Sequence, residues 1–217
     1  MNYIKKLLSK IRSLVGARES TIDYWSRRAR DLGERAVVNM RYNLTVEEIT
    51  AYQEQNIFPV LQKELNGKEK LLLDFGCGSG RFTNKLARLI HGKAIGADPI
   101  RDLLDIARKS DPENEYILTE RNRIPLPDKS VDMVWICLVM GGVPDMEIMP
   151  VTNEIKRVLN DNGLLILIEN TSALKNTPHW NYRTTKYYQD LFSFAGLSVK
   201  GGYKEVDEEI TIFTGRK

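Results

Sequence analysis

The chain is poor in cysteine and histidine, and it contains no long run of apolar residues. Its only cysteines are Cys77 and Cys137, whose spacing fits no zinc pattern, and its only histidines, His91 and His179, lie far apart. These shortages argue against a metal site built from histidine or cysteine, and we predict no metal. Because a membrane-spanning run and a signal-peptide pattern are both missing, we expect a cytoplasmic protein.

Charge is unevenly distributed along the 217 residues. Residues 1–30 contain eight Lys and Arg side chains against two acids, a net charge of +6, whereas the whole chain carries +3 and the remainder therefore −3. Because the basic segment is short and the rest of the chain is net negative, nucleic acid is an unfavoured partner. The hydrophobic and charged fractions, 42% and 28%, are ordinary for a globular chain.

A glycine-rich segment is the most informative part of the sequence. Residues 71–80 read Leu-Leu-Leu-Asp-Phe-Gly-Cys-Gly-Ser-Gly, which predicts a buried strand, an acid and a loop with glycine at every second position, followed by a helix. Such a loop lets a nucleotide-like ligand lie against bare main chain at the carboxyl end of a parallel strand. A dinucleotide fingerprint needs a small residue where Arg81 stands, and no Gly-Lys-Ser/Thr follows for a P-loop.

Strand and helix patterns alternate from residue 70 onward. This alternation predicts an α/β fold with a doubly wound, mostly parallel seven-stranded sheet of the Rossmann-like type, closed by a C-terminal hairpin and preceded by N-terminal helices. We divide the chain into a helical extension or lid, residues 1–66, and a ligand-binding domain, residues 67–217. Thr45 and Glu48 predict a capping box for a helix that Pro59 kinks or divides. Residues 161–163 predict a turn before the fifth strand.

The pattern acid-x-Gly-x-Gly-x-Gly resembles motif I of the class I S-adenosylmethionine (SAM) dependent methyltransferases, and residues 70–215 are most similar to the broad type 11 family. The resemblance implies SAM as cofactor and S-adenosylhomocysteine (SAH) as product. Asp98 would accept hydrogen bonds from the ribose, although an acid before Pro99 can also cap a helix. The implied cofactor site comprises Asp74, Gly76, Cys77, Gly78, Gly80, Asp98, Pro99, Glu120, Arg121, Cys137 and Leu138.

Within that implied site, Glu120 and Arg121 correspond to the positions that contact adenine in the family, and carbonyls near Cys137 and Leu138 correspond to those that meet the methionine ammonium. A solvated charged loop is the alternative for Glu120 and Arg121. The family often has a histidine pair where Met140, Gly141 and Gly142 stand. Its absence leaves space beside the methyl group, although Met140 can equally fill the core.

The acceptor side is predicted from the second half of the chain and from the N-terminal helices. His179, in a Pro-His-Trp loop, is our candidate general base because histidine titrates near neutral pH; an ordinary polar loop histidine is the alternative. Tyr24 and Trp25 are predicted to form a lid, with packing against the sheet edge as the alternative. The substrate and lid residues predicted together are Tyr24, Trp25, Met140, Trp180, Tyr182 and Arg183.

The resemblance implies methyl transfer, and we expect transfer to oxygen of a small molecule or saccharide. The Asn/Asp-Pro-Pro-Tyr and Pro-Cys motifs of nucleic-acid base methylation are missing. N-methylation of a small amine, a SAM-binding subunit without turnover, and a nicotinamide-dependent oxidoreductase remain as alternatives, the last disfavoured by Arg81.

The first residues of the chain form a separate hypothesis. Residues 2–15 have apolar side chains at helical spacing with basic ones between them, which predicts an amphipathic helix. Such a helix can lie on an anionic membrane surface, here the inner face of the cell membrane, or it can dock on its own domain or on a second copy in a homodimer.

Overall fold

The computed structural model describes residues 19–38, 43–120 and 123–217. The predicted amphipathic helix 2–15 and the predicted adenine contact Arg121 therefore lie outside the described residues. Seven strands form one sheet: β1 Leu71–Phe75, β2 Lys93–Asp98, β3 Glu115–Leu118, β4 Val131–Cys137, β5 Leu159–Asn170, β6 Ser198–Glu205 and β7 Glu208–Arg216.

The strand order is β3-β2-β1-β4-β5-β7-β6. Strands β1 to β5 pair in parallel, and β7 pairs antiparallel with both β5 and β6. This arrangement confirms the predicted doubly wound α/β sheet and its C-terminal hairpin. The order reverses between β1 and β4, which is the position where open α/β sheets bind ligands at the carboxyl ends of their strands.

The helices flank the sheet on both faces: α1 Thr21–Leu32, α2 Val46–Glu64, α3 Thr83–Leu89, α4 Arg101–Ser110, α5 Asp145–Val158 and α6 Thr185–Leu191. Successive strand residues point to opposite faces. Accordingly Leu73 and Val134 pack in one core cluster with α5 and α6, and Leu72 and Trp135 pack in another with α2 and α3. No helix in the described ranges is long and apolar enough to cross a membrane.

Two local predictions for this framework had different outcomes. The capping box at Thr45 and Glu48 is present, and α2 continues through Pro59 without being divided. The turn predicted at residues 161–163 is wrong, because these residues belong to β5. The pairing of β5 with β4 shifts register between Val131 and Met133, and Asn162 adopts φ +64°, so the extra residues are absorbed as a bulge.

Helix α1 lies beside the sheet edge where the strands end. Its Ala29 is buried against Ile100 and Leu103 at the start of α4, and Trp25 packs at the border of the same cluster. An exposed ion pair joins Arg30 to Asp102 at 3.3 Å. This packing places the first turns of α1 above the carboxyl ends of β1 and β2.

Candidate functional site

The loop after β1 is bare main chain. Gly76, Gly78 and Gly80 all have positive φ, at 73°, 56° and 78°, a region that favours glycine. The Gly76 amide donates a hydrogen bond of 2.7 Å to the Ala97 carbonyl of β2, which ties the loop to the neighbouring strand. A Cβ at Gly78 would lie 2.7 Å from the Val37 side chain. A side chain at this position would therefore close the space between the loop and the segment that follows α1.

Two buried carboxylates hold this loop. Asp98, at the end of β2, accepts hydrogen bonds from the Gly78 amide at 2.9 Å and from the Ile100 amide at 2.8 Å. Asp74 accepts one from the Thr83 hydroxyl at 2.7 Å. Burial raises the pKa of Asp98 to about 6 and that of Asp74 to about 7. A cationic ligand at this loop would favour the ionised form of both groups.

One cavity of about 1040 Å³ opens at this edge of the sheet. It extends from the glycine loop across the ends of β1, β2 and β4 to α1, the start of α5 and Trp180. Of the residues predicted from sequence, the lining includes Asp74, Gly76, Cys77, Gly78, Asp98, Pro99, Glu120, Cys137, Leu138, Trp25 and Trp180. Six other predicted residues are not part of the lining: Gly80, Tyr24, Met140, His179, Tyr182 and Arg183.

Arg81 lines the cavity, and sequence reasoning gave it no role in binding. Its Nη1 donates to Thr50 Oγ1 and to Gln53 Oε1, both at 2.9 Å, and burial lowers its pKa. Within the part of the chain that the structure describes, no carboxylate oxygen lies within 4 Å of this guanidinium. The guanidinium is partly buried, and Glu205 and Asp74 favour its charge only from a distance, so the site suits a ligand that brings an anionic group to Arg81.

The segment after β4 is held from both sides by charged groups. The buried Glu169 of β5 accepts hydrogen bonds from the Val139 and Met140 amides at 2.7 and 2.6 Å. Arg183 donates to the carbonyls of Met140 and Val143 at 2.6 and 2.9 Å. Arg183 thus fixes the wall of the cavity from behind, and its side chain is buried away from the lining.

Trp180 occupies the space beside the glycines after β4. A Cβ at Gly141 would touch the Trp180 ring and lie 2.8 Å from its Nε1. The Asn181 amide donates to the Gly141 carbonyl at 2.7 Å, which fixes this approach. The space that the resemblance implies beside the methyl group stays a prediction; beside Gly141 itself lies the indole of Trp180.

His179 and Tyr24 form an outer layer next to the cavity. Their rings stack with centroids 4.1 Å apart, and Tyr24 meets Trp25 edge to face at 5.2 Å. The His179 Nε2 lies 3.9 Å from a carboxylate oxygen of Glu19, a residue that lines the cavity. Of this aromatic group, Trp25 and the adjacent Trp180 contribute to the wall itself.

Comparisons with known proteins agree with this geometry. A family model described as a methyltransferase domain matches residues 73–167. An uncharacterized methyltransferase of Mycobacterium bovis is 35% identical over 101 residues, covering 46% of this chain and 40% of the relative. A malonyl-[acyl-carrier protein] O-methyltransferase of Yersinia pestis is 32% identical over 96 residues, covering 44% and 35%. The chain thus spans less than half the length of these relatives.

A solved SAM-dependent methyltransferase of Aquifex aeolicus shares the fold with a TM-score of 0.59 at 19% identity, covering 79% of this chain and 98% of that one. Fold, glycine loop and cavity thus define a Rossmann-like domain for an adenosine-containing cofactor. Residues 73–167 are similar to the methyltransferase domain family, and the fold is that of SAM-dependent methyltransferases, so SAM is the cofactor that these likenesses indicate.

The residues present fit this cofactor. SAM contains a ribose diol, a carboxylate and a sulfonium, and it lacks a pyrophosphate. Asp98 would accept hydrogen bonds from the diol, the guanidinium of Arg81 would meet the carboxylate, and the buried acids would favour the positive charge. The bare loop from Gly76 to Gly78 lets the ligand approach the backbone closely.

Proposed function

We propose that this protein catalyses methyl transfer from SAM to an oxygen atom of a small molecule or saccharide. The observation that supports this proposal best is the single cavity that joins the glycine loop to the segment after β4. At about 1040 Å³ it lies at the upper end of the range for small-molecule sites, roughly 300–1,000 Å³. A cavity of this size suits two ligands side by side, as a transfer reaction requires.

In this proposal the cofactor supplies a methyl group on a good leaving group, and the protein contributes mainly by positioning. Asp98 and the glycine loop fix the adenosine part. Glu169 and Arg183 fix the backbone after β4, which forms the wall between the two halves of the cavity. The acceptor oxygen loses its proton to a base, for which we propose His179 beside Glu19.

Transfer to nitrogen of a small amine is the alternative reaction, and it depends less on a base. A SAM-binding subunit without turnover is the alternative from another class of protein. The malonyl O-methyltransferase relative acts on oxygen, which supports the oxygen acceptor here. Calorimetric titration with SAH and with NADH tests the cofactor first: we expect SAH to bind and NADH not to bind.

Transfer of a labelled methyl group from SAM to panels of hydroxyl and amine acceptors then separates the three possibilities. Label in hydroxyl compounds supports the proposal, and label only in amines contradicts it. SAH binding with no labelled product in any panel, including extracts of a deletion strain, would favour the non-catalytic subunit.

The role of His179 has its own test. We expect His179→Gln to lower kcat/KM by about a hundredfold, the usual contribution of a general base. His91→Gln is the matched control, because His91 is the other histidine and follows α3, whereas His179 stacks on Tyr24 next to the cavity. Equal activity of the two variants would remove His179 from the mechanism while leaving the cofactor site in place.

We further propose a cytoplasmic enzyme for which nucleic acid is not a partner, with residues 1–66 forming the extension that covers the cavity. For residues 2–15 the hypotheses are contact with an anionic membrane surface and docking on the protein's own domain or on a second copy in a homodimer. Flotation with anionic vesicles at low salt and light scattering of the free protein distinguish them. Binding to vesicles as a monomer supports the first, and a dimer that does not float supports the second.

A further inference from the structure

The half of the cavity away from the glycine loop has its own chemistry. We call it the acceptor chamber, and it is defined by Ile22, Trp25, Val143, Pro144, Met146 and Trp180, all of which line the cavity. These residues come from α1, from the segment between β4 and α5, from the first turn of α5, and from the loop before α6. Every one of them has an apolar or aromatic side chain.

The indoles of Trp25 and Trp180 both lie close to Gly142. A Cβ at Gly142 would lie 3.5 Å from Nε1 of Trp25 and 3.7 Å from Cζ3 of Trp180. Two indoles near one backbone position give a large apolar surface with flat faces. Flat aromatic surfaces favour stacking with a planar ring.

The mouth of the chamber exposes large apolar side chains. Met146 is 85% exposed and Ile22 is 46% exposed, although both line the cavity. Exposed methionine is common at surfaces that bind apolar ligands, because its flexible thioether adapts to their shape. An apolar ligand that extends from the chamber towards solvent would cover both residues.

The polar residues of the lining next to the chamber are Glu19, Ser20, Thr21 and Glu147. Glu19 is paired with Arg27 at 3.0 Å, and the hydrogen bond with Arg27 lowers the pKa of Glu19. Glu147 is a carboxylate of the lining that has neither a hydrogen bond nor an ion pair within the described residues. A saccharide presents many hydroxyls, each of which needs a polar partner when it is buried, and the chamber offers few.

We infer that the acceptor is an apolar molecule with a planar ring, stacked between Trp25 and Trp180, and not a saccharide. This inference rests on the proposed function, because it names the substrate class of the same cavity. It also narrows the expected acceptors from any small molecule or saccharide to aromatic or extended apolar compounds whose hydroxyl points towards the segment after β4.

The test measures binding to the protein saturated with SAH, using 2-naphthol and methyl β-D-glucoside as probes. We expect 2-naphthol to bind at least about tenfold more tightly than the glucoside. We expect Trp180→Ala to weaken the binding of 2-naphthol about tenfold. Calorimetry or saturation-transfer NMR gives both values. A glucoside that binds as tightly as 2-naphthol would overturn the inference.

Met146→Ser provides a variant whose exposed side chain makes misfolding a small concern, and Val199→Ser on β6 is its control, because Val199 is also exposed but lies outside the cavity. We expect only Met146→Ser to weaken the binding of 2-naphthol. Equal affinities of the two variants would contradict the inference. Absence of SAH binding in the wild type would instead contradict the proposed function.

Discussion

The two halves of the cavity are built in different ways. The cofactor half is mostly backbone: the loop from Gly76 to Gly78 and the ends of neighbouring strands, with Asp98 tying them together. The acceptor chamber is made of side chains from segments far apart in sequence, as Ile22, Met146 and Trp180 show. Backbone sites tolerate little change, whereas side-chain walls can change one residue at a time. We therefore expect the first half to determine the cofactor and the second to determine the acceptor.

Glu169 lies at the junction of the two halves, and its ionisation gives the largest expected effect. Burial raises its pKa from 4.5 to about 7, so the folded state binds this proton more tightly than the unfolded state. Its contribution to stability is therefore greatest below pH 4.5 and is lost as the pH rises to 7, by about 3 kcal/mol. Asp74 and Asp98 add to the loss with the same sign.

Denaturant unfolding of the free protein between pH 5 and pH 8 measures this effect. We expect the free energy of unfolding to fall with pH in the wild type and to fall less steeply in Glu169→Gln. Glu154→Gln is the control, because pairing with Arg157 lowers the pKa of Glu154 and its titration lies below this window. A slope in Glu169→Gln equal to that of the wild type would show that Glu169 is already ionised at pH 5.

Most residues that the sequence predicts for the backbone half line the cavity, because their sequence signals are local. Glycine at alternate positions and an acid after the next strand are adjacent in sequence to the elements that position them. The binding potential of Arg81 was missed because its lack of a counter-ion depends on Thr50 and Gln53 of α2, which only the fold brings near. The wall residue Met146 gave no signal at all, since an exposed methionine at a helix start has no sequence pattern.

The aromatic residues also show which contacts cannot be predicted from the sequence. Tyr24 and Trp25 were predicted together as a lid, but only Trp25 lines the cavity, because neighbours on a helix point in different directions. Trp180 lies against Gly141, a contact between residues about forty positions apart that periodicity cannot reveal.

The next prediction tests the cofactor half directly. Asp98→Ala removes charge-assisted hydrogen bonds to the ribose and should weaken SAH binding by about 1.5–3 kcal/mol. Calorimetric titration of the variant gives the value. Because the probe 2-naphthol binds in the other half, its affinity should change little, which would show that the two halves act separately.

Asp102→Ala is a matched control, since Asp102 lies four residues further on, in α4, and pairs at the surface with Arg30. It should bind SAH as the wild type does. Unchanged SAH affinity in Asp98→Ala would show that the carboxylate only supports the loop through Gly78 and Ile100, and the ribose assignment would then be wrong.

The smallest expected effect is the loss of SAH affinity when Arg81 is replaced. It distinguishes binding of the cofactor's carboxylate from binding of its adenosine part. Arg81→Met should weaken SAH about tenfold through loss of a charge-assisted hydrogen bond. It should leave the affinity for 5′-methylthioadenosine unchanged, because that compound lacks the amino-acid carboxylate. Arg88→Met, in α3 and outside the cavity, should affect the binding of neither ligand. An equal loss for both ligands would mean that Arg81 acts by holding α2 against the loop through Thr50 and Gln53, and the counter-ion of the carboxylate would have to come from elsewhere.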